Sequence, residues 1–347
     1  MQTSSETVAA QIRRPTECAE QWSSNSSISK KAVPNSLLAK RPSSAVCAPG
    51  LRLQRILVTT DFSDASNRAL PFATALVKRF GAEVKLLHVL EPPSPIAGWE
   101  SVVLESDDHA IGLVYGDLDS LANRAFGADT VVNTHVRTGK PWQEIIKAAD
   151  ELSADLLVIA THGYTGLKHT LLGSTVERVI RHSPCPVLVV RAHPAARWNE
   201  TGNAVAFNHI VLATDLSSNS FKAFPAAQAL SKEFGANVTL MHVVEGFPIE
   251  AILRQEITRT TFTRVMSEAR ERMNALSIWL RNETGFKAAI AVRFGIPFVE
   301  ITNAAKGVPD SLIVLATHGY TSLRHLRMGS VAEDVVRHAD CPVLVVR

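Results

Sequence analysis

Residues 160–191 read ATHGYTGLKHTLLGSTVERVIRHSPCPVLVVR, and residues 316–347 read ATHGYTSLRHLRMGSVAEDVVRHADCPVLVVR. The two stretches align without a gap, 21 of 32 positions are identical, and the offset is 316 − 160 = 156. Other landmarks keep nearly that spacing: ILVTTDFS at 56–63 answers IVLATDLS at 210–217, LLHV at 86–89 answers LMHV at 240–243, and VRTGKP at 136–141 answers VRFGIP at 292–297. A period this long makes each copy a whole domain rather than one unit of a solenoid. The chain of 347 residues has room for two such domains and an extension.

Within each copy, strand and helix patterns alternate. In the first copy the expected order is strand Arg55–Thr60, helix Ala65–Phe80 capped by Ser63 and stopped by Gly81, strand Glu83–Leu90, strand Thr130–Val136, helix Trp142–Leu152, strand Asp155–Ala160, helix Ser174–His182 and strand Pro186–Arg191. LLVIA and LIVLA are apolar throughout, as in strands covered on both faces of a parallel sheet. Between strands two and three the copies differ. The second has Ile252, Ile257, Val265, Met266, Met273, Leu276 and Leu280 at near-helical spacing, whereas the first has a weaker pattern around Asp107–Ala125. The expected division is an extension at 1–50, domains at 51–193 and 207–347, and a polar linker at 194–206. Residues 1–50 are dense in serine and without apolar period, which predicts disorder.

Charge narrows the function. Lys plus Arg number 36 and Asp plus Glu 33, and residues 1–50 hold six bases against three acids, so the remaining chain is neutral. A neutral body lacks the clustered bases on which nucleic-acid affinity leans. No apolar run of 18 or more residues and no early apolar segment after the N-terminal charges occur, which predicts a cytoplasmic protein without a membrane span. Cys18, Cys47, Cys185 and Cys341 form no C-x-x-C pair; Cys185 and Cys341, each before Pro and an apolar run, read as buried thiols.

In an open α/β sheet, ligands bind past the carboxyl ends of strands, where strand order reverses. Thr60 and Asp61, and Thr214 and Asp215, stand at such ends. Each Asp can take a hydrogen bond from a base or ribose, or cap the following helix. After the fourth strand, the glycine-containing loops run into Gly173–Ser174 and Gly329–Ser330, which open helices. A helix N-terminus offers unsatisfied N–H groups and the positive end of a dipole, both suited to phosphate. The serines can cap those helices or bond a phosphate oxygen. Neither G-x-x-x-x-G-K-[ST], G-x-G-x-x-G nor G-x-S-x-G is present. His88 and His242 in strands, and His162 and His318 in loops, keep no catalytic spacing with an acid or a nucleophile.

Together these residues resemble the universal stress protein family over nearly everything past residue 50. The resemblance implies an α/β fold of two tandem five-stranded parallel-sheet domains, Rossmann-like and akin to the adenine nucleotide alpha hydrolases, forming a pseudo-dimer. The family's nucleotide motif is G-x2-G-x9-G-[ST]. Here it reads Ala160, Gly163, Gly173, Ser174 and Ala316, Gly319, Gly329, Ser330, with alanine for the first glycine in both copies. The resemblance further implies adenine and ribose near Asp61 and Asp215, adenine read by the backbone of Val89 and Val243, and a turn at Gly139 and Gly295. The ligand that the resemblance implies is an adenine nucleotide, ATP with or without Mg²⁺. PVLVV at 186–190 and 342–346 is expected to pair the two copies, a covering such an apolar edge strand needs. Two chains pairing into a homodimer, and protein partners of unknown identity, are compatible with it.

Three functions stand as expectations. An ATP-holding regulator without efficient turnover fits the doubled loop with no assembled catalytic group. A slow ATPase needs only positioning and charge neutralisation, with Mg²⁺ held by phosphates and Asp61 or Asp215. A nucleotide-free scaffold is suggested by Ala160 and Ala316.

Overall fold

The structure, a computed structural model, describes residues 52–92, 108–161, 173–191, 205–245, 259–317 and 329–347. In the first repeat the order is β1 (Arg55–Thr59), α1 (Asp64–Asn67), α2 (Leu70–Phe80), β2 (Glu83–Leu90), α3 (Asp108–Phe126), β3 (Val132–Thr138), α4 (Pro141–Glu151), β4 (Leu156–Ala160), α5 (Ser174–His182) and β5 (Val187–Val190). The second gives β6 (His209–Ala213), a 3₁₀ turn (Ser220–Ala223), α6 (Phe224–Phe234), β7 (Asn237–Glu245), α7 (Arg259–Thr284), β8 (Ala289–Gly295), α8 (Pro297–Ala305), β9 (Ser311–Ala316), α9 (Ser330–His338) and β10 (Val343–Val346).

All ten strands form one sheet in the order β3-β2-β1-β4-β5-β10-β9-β6-β7-β8. Pairing within each repeat is parallel, and the repeats meet through antiparallel β5 and β10, with Leu188 opposite Leu344. The expected pairing of the two PVLVV segments is therefore found. It is symmetric. A narrow apolar gap at the junction is lined by four pairs of corresponding residues: Leu53 with Phe207, Leu76 with Leu230, Leu156 with Leu312, and Leu188 with Leu344.

Strand period sorts the core into two layers. On one face Val58, Val158, Ala160, Leu188, Val190 and Leu344 pack against α2, α3, α6 and α7; on the other Leu157, Ile159, Val187, Val189 and Val345 pack against α4, α5, α8 and α9. With apolar side chains required on both faces, the near-continuous apolar strands are explained. In α7, Met273, Leu276 and Leu280 are buried, so the amphipathic reading of that stretch holds; Ile252 and Ile257 lie outside the described residues.

Two expected elements change by more than one residue at an end. The helix expected over Ala65–Phe80 is two pieces, α1 and α2. Pro71 lacks the N–H that would reach Asn67, and its ring collides with that carbonyl, so the first turn stops there. Pro225 stands at the corresponding place in the second repeat, between the 3₁₀ turn and α6. Ser63 does cap α1, accepting from the Ser66 N–H at 3.1 Å, and Gly81 ends α2 in the left-handed region at φ 65°, its N–H donating to Val77 at 2.8 Å. Strand β3 runs two residues later than expected. The Thr130 hydroxyl donates to the Phe126 carbonyl at 3.0 Å, tying residue 130 to the end of α3. Among the described residues no helix is long and apolar enough to cross a membrane.

Candidate functional site

Strand order reverses between β1 and β4, and between β6 and β9. The crevices past these carboxyl ends hold Thr60, Asp61 and Thr161 in the first repeat, and Thr214, Asp215 and Thr317 in the second.

The buried Thr60 ties the end of β1 to β2 and to the turn that opens α1. Its N–H donates to the Leu87 carbonyl at 3.0 Å, its hydroxyl lies 3.1 Å from the Ser66 hydroxyl and accepts from the Phe62 N–H at 3.0 Å, and its carbonyl is 2.9 Å from His88 Nδ1. The second repeat repeats this set. The Thr214 N–H donates to Met241 at 2.9 Å; its hydroxyl lies 2.8 Å from that of Ser220 and accepts from the Leu216 N–H at 3.0 Å; its carbonyl is 2.9 Å from His242 Nδ1. The strand histidines are thus positioning groups for the strand end. Phe62 and Leu216 both have φ of 64°, a left-handed conformation that side chains of this size rarely adopt. Strain kept at one place in both repeats marks that place as constrained by more than chain economy.

Asp61 does not cap the helix. Its Oδ1 accepts from the Ser63 N–H at 3.1 Å and hydroxyl at 2.6 Å, while Ser63 is the cap. Asp215 Oδ1 accepts from the Ser217 N–H at 2.9 Å. Each carboxylate is thereby oriented at the mouth of its crevice. The signal for this network is D-x-S-x-x-S, present at 61–66 and 215–220. Sequence reasoning singled out Asp61, Asp215 and Ser63 but not Ser66, Ser217 or Ser220.

The backbone of Val89 faces the same crevice. The Leu87 carbonyl reaches Thr60 on the β1 side, whereas the Leu90 carbonyl accepts from the Gly139 N–H at 2.9 Å on the β3 side. Alternation along the strand directs the N–H and C=O of Val89 toward the β1 side, past the last residue of β1. Val243, two residues beyond Met241, stands likewise. Gly139 and Gly295 both have φ of 149°, and a Cβ on either would lie 3.0 Å and 3.2 Å from the side chains of Glu144 and Glu300. These turns carry β3 and β8 into Pro141 and Pro297 at the helix starts.

The loops after β4 and β9 are closed at their base. The Gly173 N–H donates to the Thr161 carbonyl at 3.2 Å, and the Thr161 N–H to Val190 at 2.9 Å; Gly329 and Thr317 do the same at 2.8 Å, with Thr317 donating to Val346 at 2.8 Å. A Cβ at 173 would meet the Thr161 carbonyl oxygen at 2.9 Å, so only glycine fits. Gly173 and Gly329 are the N-cap residues, without a side-chain cap, and the exposed Ser174 and Ser330 are the first helical residues. The serines therefore are not caps, and among the described residues no N-cap side chain claims the opening N–H groups of either helix. Gly163, Gly319, His162, His318, Lys168, Arg324 and Arg327 lie outside the described residues. Thr161 and Thr317, both buried, were missed, although they stand in the quoted repeat.

Ala160, where the motif has glycine, is buried with Val158 and Val190 on the α2 face, while α5 packs with Ile159 on the opposite face. Ala316 packs on the same face as Ala160. Both methyls point away from the helices whose N-termini open at the crevice. Cys185 is buried and Cys341 half-buried; burial raises both thiols, Cys341 to about 12, which keeps them protonated and inert. Among the described residues no group of three or more His, Cys, Asp or Glu is placed to hold a metal ion.

Comparison with known proteins agrees with this architecture. The universal stress protein family model matches residues 52–191 and again 206–347. A universal stress protein of Methanocaldococcus jannaschii is 36% identical over 146 residues, which cover 40% of this chain and 82% of that protein. Another, from Bacillus subtilis, is 32% identical over 153 residues, covering 40% of this chain and 98% of its own. The crystal structure of a universal stress protein from Archaeoglobus fulgidus superposes with a TM-score of 0.59 at 21% identity, over 84% of this chain and 98% of that one, and so shares the fold. Single-domain relatives match one repeat's worth of chain, and the family pattern occurs twice in succession: the chain belongs to the universal stress protein family, as a tandem member with two of its domains.

Proposed function

We propose that each repeat binds one adenine nucleotide, ATP with Mg²⁺, in the crevice past β1 and β4 or β6 and β9, and that the protein is a cytoplasmic stress-response regulator that holds nucleotide without efficient turnover. The domains are 51–193 and 207–347, joined by 194–206. In this reading the backbone of Val89 or Val243 meets the adenine edge. Asp61 or Asp215 takes a ribose hydroxyl, and the N–H groups at Gly173–Ser174 or Gly329–Ser330 take the phosphates, with Gly163 and Gly319 in the loops between. Magnesium neutralises phosphate charge.

The observation that carries the proposal is the doubled arrangement itself. Two strand ends with the same bonds, the same left-handed residue and the same uncapped glycine N-cap lie at the two places where this sheet reverses order. Absence of efficient turnover is inferred from the sequence, in which His88 and His242 keep no catalytic spacing with an acid or a nucleophile; their bonds to the Thr60 and Thr214 carbonyls only orient the rings. Titration calorimetry with Mg-ATP tests the proposal. Wild type is expected to bind two equivalents per chain. Ser174→Asp with Ser330→Asp, which puts a carboxylate where phosphate would sit yet suits a helix N-terminus, is expected to lower affinity at least about tenfold without lowering Tm. No heat and no thermal shift with wild type would refute it.

A further inference from the structure

The strands that join the repeats each end in an arginine that crosses to the other repeat. Arg191, next after β5, donates from Nη1 to the Ala339 carbonyl at 3.1 Å; Arg347, next after β10, donates from Nη1 to the Ser183 carbonyl at 3.2 Å. Ser183 and Ala339 are the C-caps of α5 and α9, the helices whose N-termini open at the two crevices. All four positions keep the offset of 156, so the contact is reciprocal, as at an isologous interface.

A cation on the last carbonyls of a helix satisfies orphan acceptors, opposes the negative end of its dipole and stabilises the helix, which holds the N–H groups of its other end in place. Within α5 and α9 the nearest long cations are already committed: Arg181 pairs with Glu177 at 2.6 Å and Arg337 with Glu333 at 2.7 Å. The guanidinium at each C-cap thus comes from the other repeat.

Resting on the nucleotide reading above, we propose that Arg347 is a positioning residue for the first repeat's nucleotide site and Arg191 for the second's, so that each site is completed by the other repeat and the two are coupled through the junction. The coupling is unequal. Arg191 also lies 4.0 Å from Asp340, whose counterpart in the first repeat is Pro184, so its charge is partly offset. The first repeat's site gains more.

The experiment uses the full chain with one site silenced at a time. In the Ser330→Asp background, where only the first repeat reports, Arg347→Ala and Arg347→Gln are expected to weaken Mg-ATP binding roughly two- to fivefold, an effect that shrinks at high salt, while Arg347→Lys stays within about twofold of the parent. In the Ser174→Asp background Arg347→Ala is expected to leave binding unchanged and Arg191→Ala to weaken it by a smaller factor. Weakening confined to the arginine's own repeat, or none in either, overturns the proposal. Amide hydrogen exchange without ligand gives an independent reading: Arg347→Ala should speed exchange at 177–180 more than at 333–336, where the amides are hydrogen-bonded within the helices. Should the protein bind no ATP at all, the nucleotide reading fails by itself. Exchange then decides the coupling, and acceleration limited to the second repeat, or absent, overturns it.

Discussion

The two ends of the first strand have diverged to different degrees between the repeats. At its start, the first repeat uses charge. Asp155 accepts from the N–H groups of Gln54 and Arg55 at 2.9 Å each and lies 3.7 Å from the Arg55 guanidinium. At the corresponding start in the second repeat, His209 sits between the Ser311 and Thr239 hydroxyls at 3.3 and 3.0 Å, and Asn208 bonds Asp310 at 2.9 Å. At the far end the Thr60–Ser66–His88 and Thr214–Ser220–His242 sets make the same contacts. Either chemistry starts a strand, so the start carries only stability. The far end holds one arrangement, including a strained residue, which supports the ligand site proposed there.

This contrast can be broken experimentally, and the largest effect is expected at the far end. Thr60→Val or Thr214→Val removes the acceptor for the Phe62 or Leu216 N–H and should cost about 1–3 kcal/mol in denaturant unfolding. Nucleotide affinity should fall at the altered repeat as well. At the strand start, Asp155→Ala should cost about 1 kcal/mol, since water can reach the freed N–H groups, and leave affinity at both sites unchanged in calorimetry. Ala160→Gly sharpens the comparison from inside the core: loss of roughly 0.5–1 kcal/mol with unchanged ATP affinity is expected, because the methyl faces away from α5. A large gain in affinity would show that the methyl does reach the phosphate.

The smallest effect separates the two strand starts by pH. Burial lowers the pKa of His209 below its usual 6.5. The unfolded chain then binds the proton more readily than the folded one, so stability is lost as pH falls through about 6.5 toward the folded value. His209→Gln should flatten that part of the stability profile. A residual slope should remain from His135, which is lowered by burial and then by Lys85 and Arg137.

Much of the fold was legible because the repeat is long and its strands are apolar on both faces; β2 and α5 fall on their expected residues. The break before α2 was written in Pro71 but outweighed by the surrounding helical pattern. At the site, the strand-end aspartates and the helix-opening glycines were legible from position, whereas the valine backbones followed only from the family resemblance. The buried hydroxyl network was not, since serine and threonine after a strand read equally as turn residues. Nor were the crossing arginines: both stand in the quoted repeat as PVLVVR, but their partners are 148 and 164 residues away in sequence. Only the antiparallel junction brings them to the opposite helix.

The central claim, that both strand-end crevices hold adenine nucleotide, is tested most directly on protein purified natively. Bound small molecules are released with acid, separated by chromatography and counted against protein. ATP at about two equivalents per chain is the predicted result, and one equivalent would restrict the claim to a single crevice. Protein that carries none, and gives no calorimetric signal with added Mg-ATP, would contradict the claim and leave the doubled strand ends as architecture for a protein partner.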